Sequence, residues 1–93
     1  MGDLVRSLEW RGQALLVLDQ TKLPTEEVWL ELREPGEVAE AIRSMRVRGA
    51  PLLGVVAAYG LALAAIRSEA ETREELLSDL EEAAELIRAT RPT

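Results

Sequence analysis

The sequence predicts an α+β fold: a small three-stranded antiparallel sheet followed by a three-helix cluster with a buried central helix. Three observations carry that reading. Before residue 32, apolar residues come in short, partly alternating runs separated by turn residues. After residue 35 they recur at spacings of three and four. From Ala50 to Ile66 there is no charged residue, the pattern of a helix enclosed by its neighbours. At 93 residues the chain is expected to be one small domain, 1–93, or a piece of something larger.

Leu8-Glu9-Trp10 alternates, Arg11-Gly12 offers a turn, and Ala14-Leu15-Leu16-Val17-Leu18 is a short apolar run. Together they read as a β-hairpin. Asp19-Gln20-Thr21-Lys22-Leu23-Pro24 is a polar loop ended by proline. Val28-Trp29-Leu30-Glu31-Leu32 then supplies a third strand, with Val28, Leu30 and Leu32 on one face.

Glu34-Pro35-Gly36-Glu37 opens a helix expected over 35–45, because proline in the first turn loses no needed hydrogen bond and acidic residues suit the positive helix end. Its apolar stripe is Val38, Ala41, Ile42 and Met45. Arg46-Val47-Arg48-Gly49 interrupts the period, and Pro51 starts a second helix expected over 51–67. A third, over 72–90, begins at the capping-box pattern Thr72-Arg73-Glu74-Glu75. Its stripe is Leu76, Leu80, Ala83 and Ile87, with Leu77 and Ala84 beside it; Glu81, Glu82 and Glu85 form a solvated face. The central helix is expected to pack Val55, Val56, Tyr59, Leu63 and Ile66 against the flanking helices. Its uncharged run is shorter than the ~20 residues that a bilayer requires and is rich in alanine, so no membrane is expected. One short chain has few elements to surround such a helix. Part of its surface is therefore expected to meet another domain or a partner, including a second copy.

Composition removes several kinds of chemistry. The absence of cysteine excludes disulfides, thiolate metal sites and a cysteine nucleophile from this chain. The absence of histidine removes the commonest general base and metal ligand. No metal or cofactor is expected. A net charge of −6 argues against non-specific binding to nucleic acid or anionic membrane. Arginine outnumbers lysine ten to one and asparagine is absent, which fits a thermophile and fits GC-rich coding equally. Met1-Gly2-Asp3 and the residues after it show no signal peptide, so cytoplasm is the expected location.

The segment Met45-Arg46-Val47-Arg48-Gly49-Ala50-Pro51 is the best candidate for chemistry. Gly49 permits a backbone conformation closed to other residues. Pro51 leaves a helix N-terminus with free N–H groups, and an arginine beside such an end can hold phosphate or carboxylate. The same turn also has a plainer reading as loop chemistry. Arg91-Pro92-Thr93 reads on spacing alone as a helix end, its arginine satisfying terminal carbonyls. The remaining arginines, such as Arg6, Arg33, Arg43, Arg67, Arg73 and Arg88, read as surface charge or ion pairs. Asp19 and the glutamates show no spacing that singles out a catalytic pair.

The run from Ile42 to Gly54, with Val47-Arg48-Gly49-Ala50-Pro51 at its centre, and Ala57-Ala58-Tyr59-Gly60 after it, resembles the N-terminal part of methylthioribose-1-phosphate isomerase. That superfamily also holds regulatory subunits of the exchange factor for translation initiation factor two. Leu18-Asp19-Gln20-Thr21-Lys22-Leu23-Pro24 resembles its LDQ(R/T)xLP loop, and Arg91-Pro92-Thr93 the start of its RPTAVNL segment. Leu52-Leu53 stands where the family usually has Ala-Ile, an apolar exchange. The resemblance covers nearly the whole chain but only the first quarter or so of a family member. It implies an aldose–ketose isomerisation of 5-methylthioribose 1-phosphate to 5-methylthioribulose 1-phosphate in methionine salvage. It also implies that the catalytic cysteine and aspartate belong to a C-terminal Rossmann-like domain outside this chain. Carried over by motif, Arg48, Gly49, Ala50 and Arg91 would bind the phosphate of the sugar substrate, and no catalytic residue is expected within residues 1–93. A non-enzymatic initiation-factor-related subunit and a stand-alone helical interaction module are the other readings.

Overall fold

The computed structural model describes residues 7–90. Strands β1 (Leu8–Trp10), β2 (Leu15–Leu18) and β3 (Trp29–Leu32) form an antiparallel meander in the order β1-β2-β3. On the central strand, Leu15 and Val17 are buried while Leu16 and Leu18 are half-buried, the period of two that a one-sided sheet requires. Val17 lies opposite Leu8 on one side and Leu30 on the other; Leu15 lies between Trp10 and Leu32. The loop between β2 and β3 contains a 3-10 turn, Gln20–Lys22, and a cis peptide bond between Leu23 and Pro24.

Three helices follow: α1 (Pro35–Arg43), α2 (Ala50–Arg67) and α3 (Arg73–Arg88). Each packs on the other two, and α1 also packs on β3. At the start of α1 the Glu37 carboxylate accepts from the amides of Arg33 (2.6 Å) and Glu34 (3.3 Å). At the start of α3 the Thr72 hydroxyl accepts from the Glu75 amide at 3.1 Å. The return arm of the expected capping box reaches one residue further back: Glu75 accepts from the Glu71 amide at 2.8 Å.

Helix α1 ends two residues earlier than its periodicity predicts. The Arg46 amide donates to Ala41 O (2.9 Å) and the Met45 amide to Ile42 O (3.1 Å), the paired bonds of a Schellman end. That geometry needs a left-handed residue, and Met45 supplies it at φ 62°. The turn swings Met45 off the helix stripe, leaving it 56% exposed, whereas Val38, Ala41 and Ile42 are buried as expected. Met45→Gly is expected to raise stability by about 0.5 kcal/mol, because relief of the left-handed strain slightly exceeds the extra chain entropy that glycine brings to the unfolded state. A higher urea midpoint would support this; an unchanged or lower one would show that the turn is unstrained.

The core joins Leu15 and Val17 of the sheet to Val38 and Ile42 of α1, Val56 and Leu63 of α2, and Ile87 of α3. Val56 and Leu63 are fully buried, as expected for the central helix. Val55 and Ile66 depart from expectation, at 38% and 41% exposed. Among the described residues, the neighbours of helix α2 cover one side of it, and its buried stripe is Leu52, Val56, Gly60, Leu63 and Ala64. Tyr59 packs half-buried against the core, and its ring also stacks on Trp10 of β1, with centroids 5.0 Å apart and planes at 19°. On α3, Ala83 and Ile87 are buried, Leu76 and Leu80 are half-buried, and Leu77 is exposed.

By length and composition the 18-residue α2 could cross a membrane. In this fold it is one helix of a packed bundle, and its last residue is tied to the sheet. The Arg67 guanidinium, read from sequence as surface charge, donates to Gln13 O (2.8 Å) and Arg33 O (2.9 Å). Arg33, Arg43 and Arg88 do form exposed ion pairs, with Glu31, Glu40 and Glu85 respectively.

Candidate anion-binding site

The site is built by the short passage from α1 to α2. The Schellman turn directs the chain out of α1 at Arg46. Val47 then plugs into the core at 2% exposure, which fixes the direction of the next two residues. Arg48 is exposed, and its guanidinium makes no hydrogen bond or ion pair with any described residue. Gly49 caps α2 at φ 96°, ψ 126°, a backbone region open essentially to glycine alone. Its carbonyl accepts the first helical bond from the Leu53 amide at 2.8 Å.

The three helices begin differently. Helices α1 and α3 carry acidic residues in their first turns: Glu37, and Glu74 with Glu75. Helix α2 has neither an acidic residue in its first turn nor a capping side chain. Its N-terminal partial positive charge therefore has no carboxylate of its own helix to offset it, and Arg48 stands two residues before the helix starts. A guanidinium next to free helical amides is an arrangement suited to a phosphate or carboxylate.

The neighbouring wall comes from the β2–β3 loop. An open cleft of about 640 Å³ lies between them, with Leu18, Gln20 and Leu23 on the loop side and Arg48, Gly49 and Pro51 on the helix side. Trp29 and Glu27 also line it. Of the four residues expected to bind phosphate, Arg48, Gly49 and Ala50 are thus contiguous at the start of α2. Arg91 lies outside the described residues. Among the described residues no group of three or more acidic side chains is placed to hold a metal ion.

Sequence reasoning passed over a polar contact in this region. The Asp19 side chain is fully buried, and its Oδ2 accepts from Arg46 Nη1 at 2.6 Å. Its Oδ1 accepts from the Thr21 amide (2.9 Å) and the Thr21 hydroxyl (2.6 Å), capping the 3-10 turn. Main-chain bonds reinforce the contact: the Gln20 amide donates to Arg46 O at 2.8 Å, and the Asp19 amide to Val28 O at 2.8 Å. Burial alone would raise the Asp19 pKa. The bonds from Thr21 and the Arg46 guanidinium outweigh burial and hold the carboxyl below its ordinary value. The signal in the sequence was the Asp-x-Thr spacing of a capped turn; the partner 27 residues away was invisible to local reasoning.

A sequence profile of the initiation factor 2 subunit family matches residues 46–93, which begin at Arg46 and include the whole of α2 and α3. A methylthioribose-1-phosphate isomerase from Dehalococcoides mccartyi is 48% identical over 96% of this chain and 27% of its own length. The solved 5-methylthioribose 1-phosphate isomerase of Pyrococcus horikoshii superposes with a TM-score of 0.89 at 42% identity, covering 94% of this chain and 24% of that one. A solved structure named translation initiation factor eIF-2B, subunit delta, from A. fulgidus gives 0.86 at 44% identity, over 94% of this chain and 25% of that one. The chain spans about a quarter of the length of the curated relatives it matches. With α2, α3 and the Arg48–Ala50 turn inside the profile match, and nearly the whole chain inside the match to the isomerases, the chain belongs to the initiation factor 2 subunit family and corresponds to the N-terminal region of the methylthioribose-1-phosphate isomerases within it.

Proposed function

We propose that this chain is the substrate-phosphate-binding N-terminal domain of a methylthioribose-1-phosphate isomerase. The observation that carries the reading is the match, near 48% identity along almost the whole chain, to relatives bearing that name. The reaction would convert 5-methylthioribose 1-phosphate to 5-methylthioribulose 1-phosphate. In that substrate the phosphate blocks the anomeric carbon, so simple ring opening is closed and a dedicated acid–base pair is needed. Such a pair must lie within hydrogen-bond reach of the reacting carbons. The candidate site here has no histidine or cysteine to fill that role, and its one buried carboxylate is engaged by Thr21 and Arg46. The domain's part is therefore binding: Arg48 and the Gly49–Ala50 amides take the phosphate, joined by Arg91, while the remainder of the full-length protein supplies the chemistry.

The solved relative named as an initiation factor subunit favours a second reading, a non-enzymatic subunit of the same family. Grafting residues 1–93 onto the remainder of the Pyrococcus isomerase separates the two. The isolated chain is expected to give no turnover and the graft to turn over methylthioribose 1-phosphate. In the graft, Arg48→Ala should lower kcat/KM by roughly 10- to 150-fold, the equivalent of losing one charged hydrogen bond of about 1.5–3 kcal/mol. A change below twofold would reduce Arg48 to an ordinary loop arginine. A graft that folds without turnover would favour the non-enzymatic subunit.

A further inference from the structure

We infer that the Asp19–Arg46 pair is a positioning device for the anion site, which holds Arg48 and Gly49 toward the cleft and leaves Arg48 as the cation of that turn unpaired among the described residues. The inference rests on the phosphate-binding reading above and adds two residues to it. Arg46 and Arg48 are two residues apart, but their environments differ. Asp19 reaches Arg46 with a 2.6 Å charged bond from a fully buried carboxylate. Gln20 grips the carbonyl of the same residue at 2.8 Å. Arg46 is therefore held by side chain and main chain at once, from adjacent positions on one loop. The Schellman bond from its amide to Ala41 O makes a third tether, at 2.9 Å.

Those three bonds, with the Val47 plug, define where the chain stands when it reaches Arg48. Gly49 follows at φ 96°, a conformation that glycine takes readily, and turns the chain into α2. The ion pair also removes one competing charge. With Arg46 neutralised by Asp19, Arg48 is the guanidinium of this turn that stays unpaired among the described residues, beside the α2 amides. The loop that provides Asp19 also provides Gln20 and Leu23 to the opposite wall of the cleft, beside Leu18 at the end of β2. The clamp thereby sets the distance between the two walls.

The test uses the 93-residue chain, inorganic phosphate as probe, and amide and arginine resonances followed by NMR. In the parent chain, phosphate should move the Gly49 and Ala50 amides and the Arg48 Nε resonance. Asp19→Asn keeps the shape of the side chain and removes its charge; it is expected to raise the apparent Kd at least fivefold. It should also increase the ns-timescale mobility of residues 46–50 while leaving the interior of α2 unchanged. Arg46→Gln, made at the half-exposed partner, should reproduce both effects, and serves where Asp19→Asn fails to fold. Once Arg48 is already alanine, adding either change should weaken binding by a smaller factor than in the parent chain, because Arg48 is one of the groups that the clamp positions. Phosphate shifts absent from Gly49 and Ala50 in the parent chain would sink the anion site itself. Normal phosphate shifts with unchanged Kd and mobility in both clamp variants would leave that site standing and overturn the positioning role.

Discussion

Gly60→Val is expected to destabilise the domain by about 3 kcal/mol, the upper end of ordinary overpacking. Gly60 is buried where the three helices converge. A Cβ placed there would stand 2.7 Å from Ile87 Cδ1 and 3.1 Å from Val38 Cγ1. The first contact is with the free end of a side chain that can rotate. The second is not so easily relieved, because Val38 is fully buried on α1 and a β-branched residue in a helix has one strongly preferred rotamer. Valine adds two methyl groups beyond the Cβ, so α1 or α3 must move away from α2. Gly54 in the same helix is the internal control, with nothing within 4 Å of its virtual Cβ. Gly54→Ala should stabilise the isolated chain by about 0.5–1 kcal/mol through helix propensity alone. Urea unfolding of the two variants should move the midpoint in opposite directions; a common direction would contradict the three-helix contact.

Asp19→Ala is expected to cost about 2–4 kcal/mol at neutral pH, from the loss of a charged hydrogen bond to Arg46 together with the cap of the 3-10 turn. Arg46 is 40% exposed, so water can solvate the guanidinium left behind, and the loss stays below that of breaking a fully buried pair. The pH dependence has a definite sign. The folded-state pKa of Asp19 lies below its unfolded value, so the charged form is the one that folding favours. Its stabilisation is fully present above the unfolded carboxylate pKa of about 3.9 and fades as pH falls through the lower folded value. The stability gap between the parent chain and Asp19→Ala should therefore be constant from pH 7 to about 5 and narrow on further acidification. A gap that widens toward acid would mean that the folded protein prefers the protonated carboxyl.

Much of the fold was legible because local patterns and tertiary needs agreed. The periods of two at Leu15–Leu18 and of three and four along α1 and α3 report which faces are buried, and proline, threonine and acidic residues mark the helix starts. The candidate site was half legible. Arg48-Gly49-Ala50-Pro51 announces itself through a glycine, an arginine and a proline-led helix, all local signals. The Asp19–Arg46 contact does not, because its partners meet only after the sheet has folded against α1.

Among the described residues the sequence by itself determined the order and type of the strands and α-helices, since each depends on neighbours within a few residues. It also determined the chemistry that is absent, since no fold can supply a histidine or cysteine that the chain lacks. The tertiary structure alone decided three things. It decided which side of α2 is covered: a helix apolar all round has no pattern to choose a face, so Val56 and Leu63 are enclosed while Val55 and Ile66 are left outside by where α1 and α3 happen to pack. It stacked Tyr59 on Trp10 of the sheet, a contact that no local pattern announces. And it divided two nearly adjacent arginines between tasks, because a buried carboxylate from a distant loop reaches Arg46 and makes no bond to Arg48.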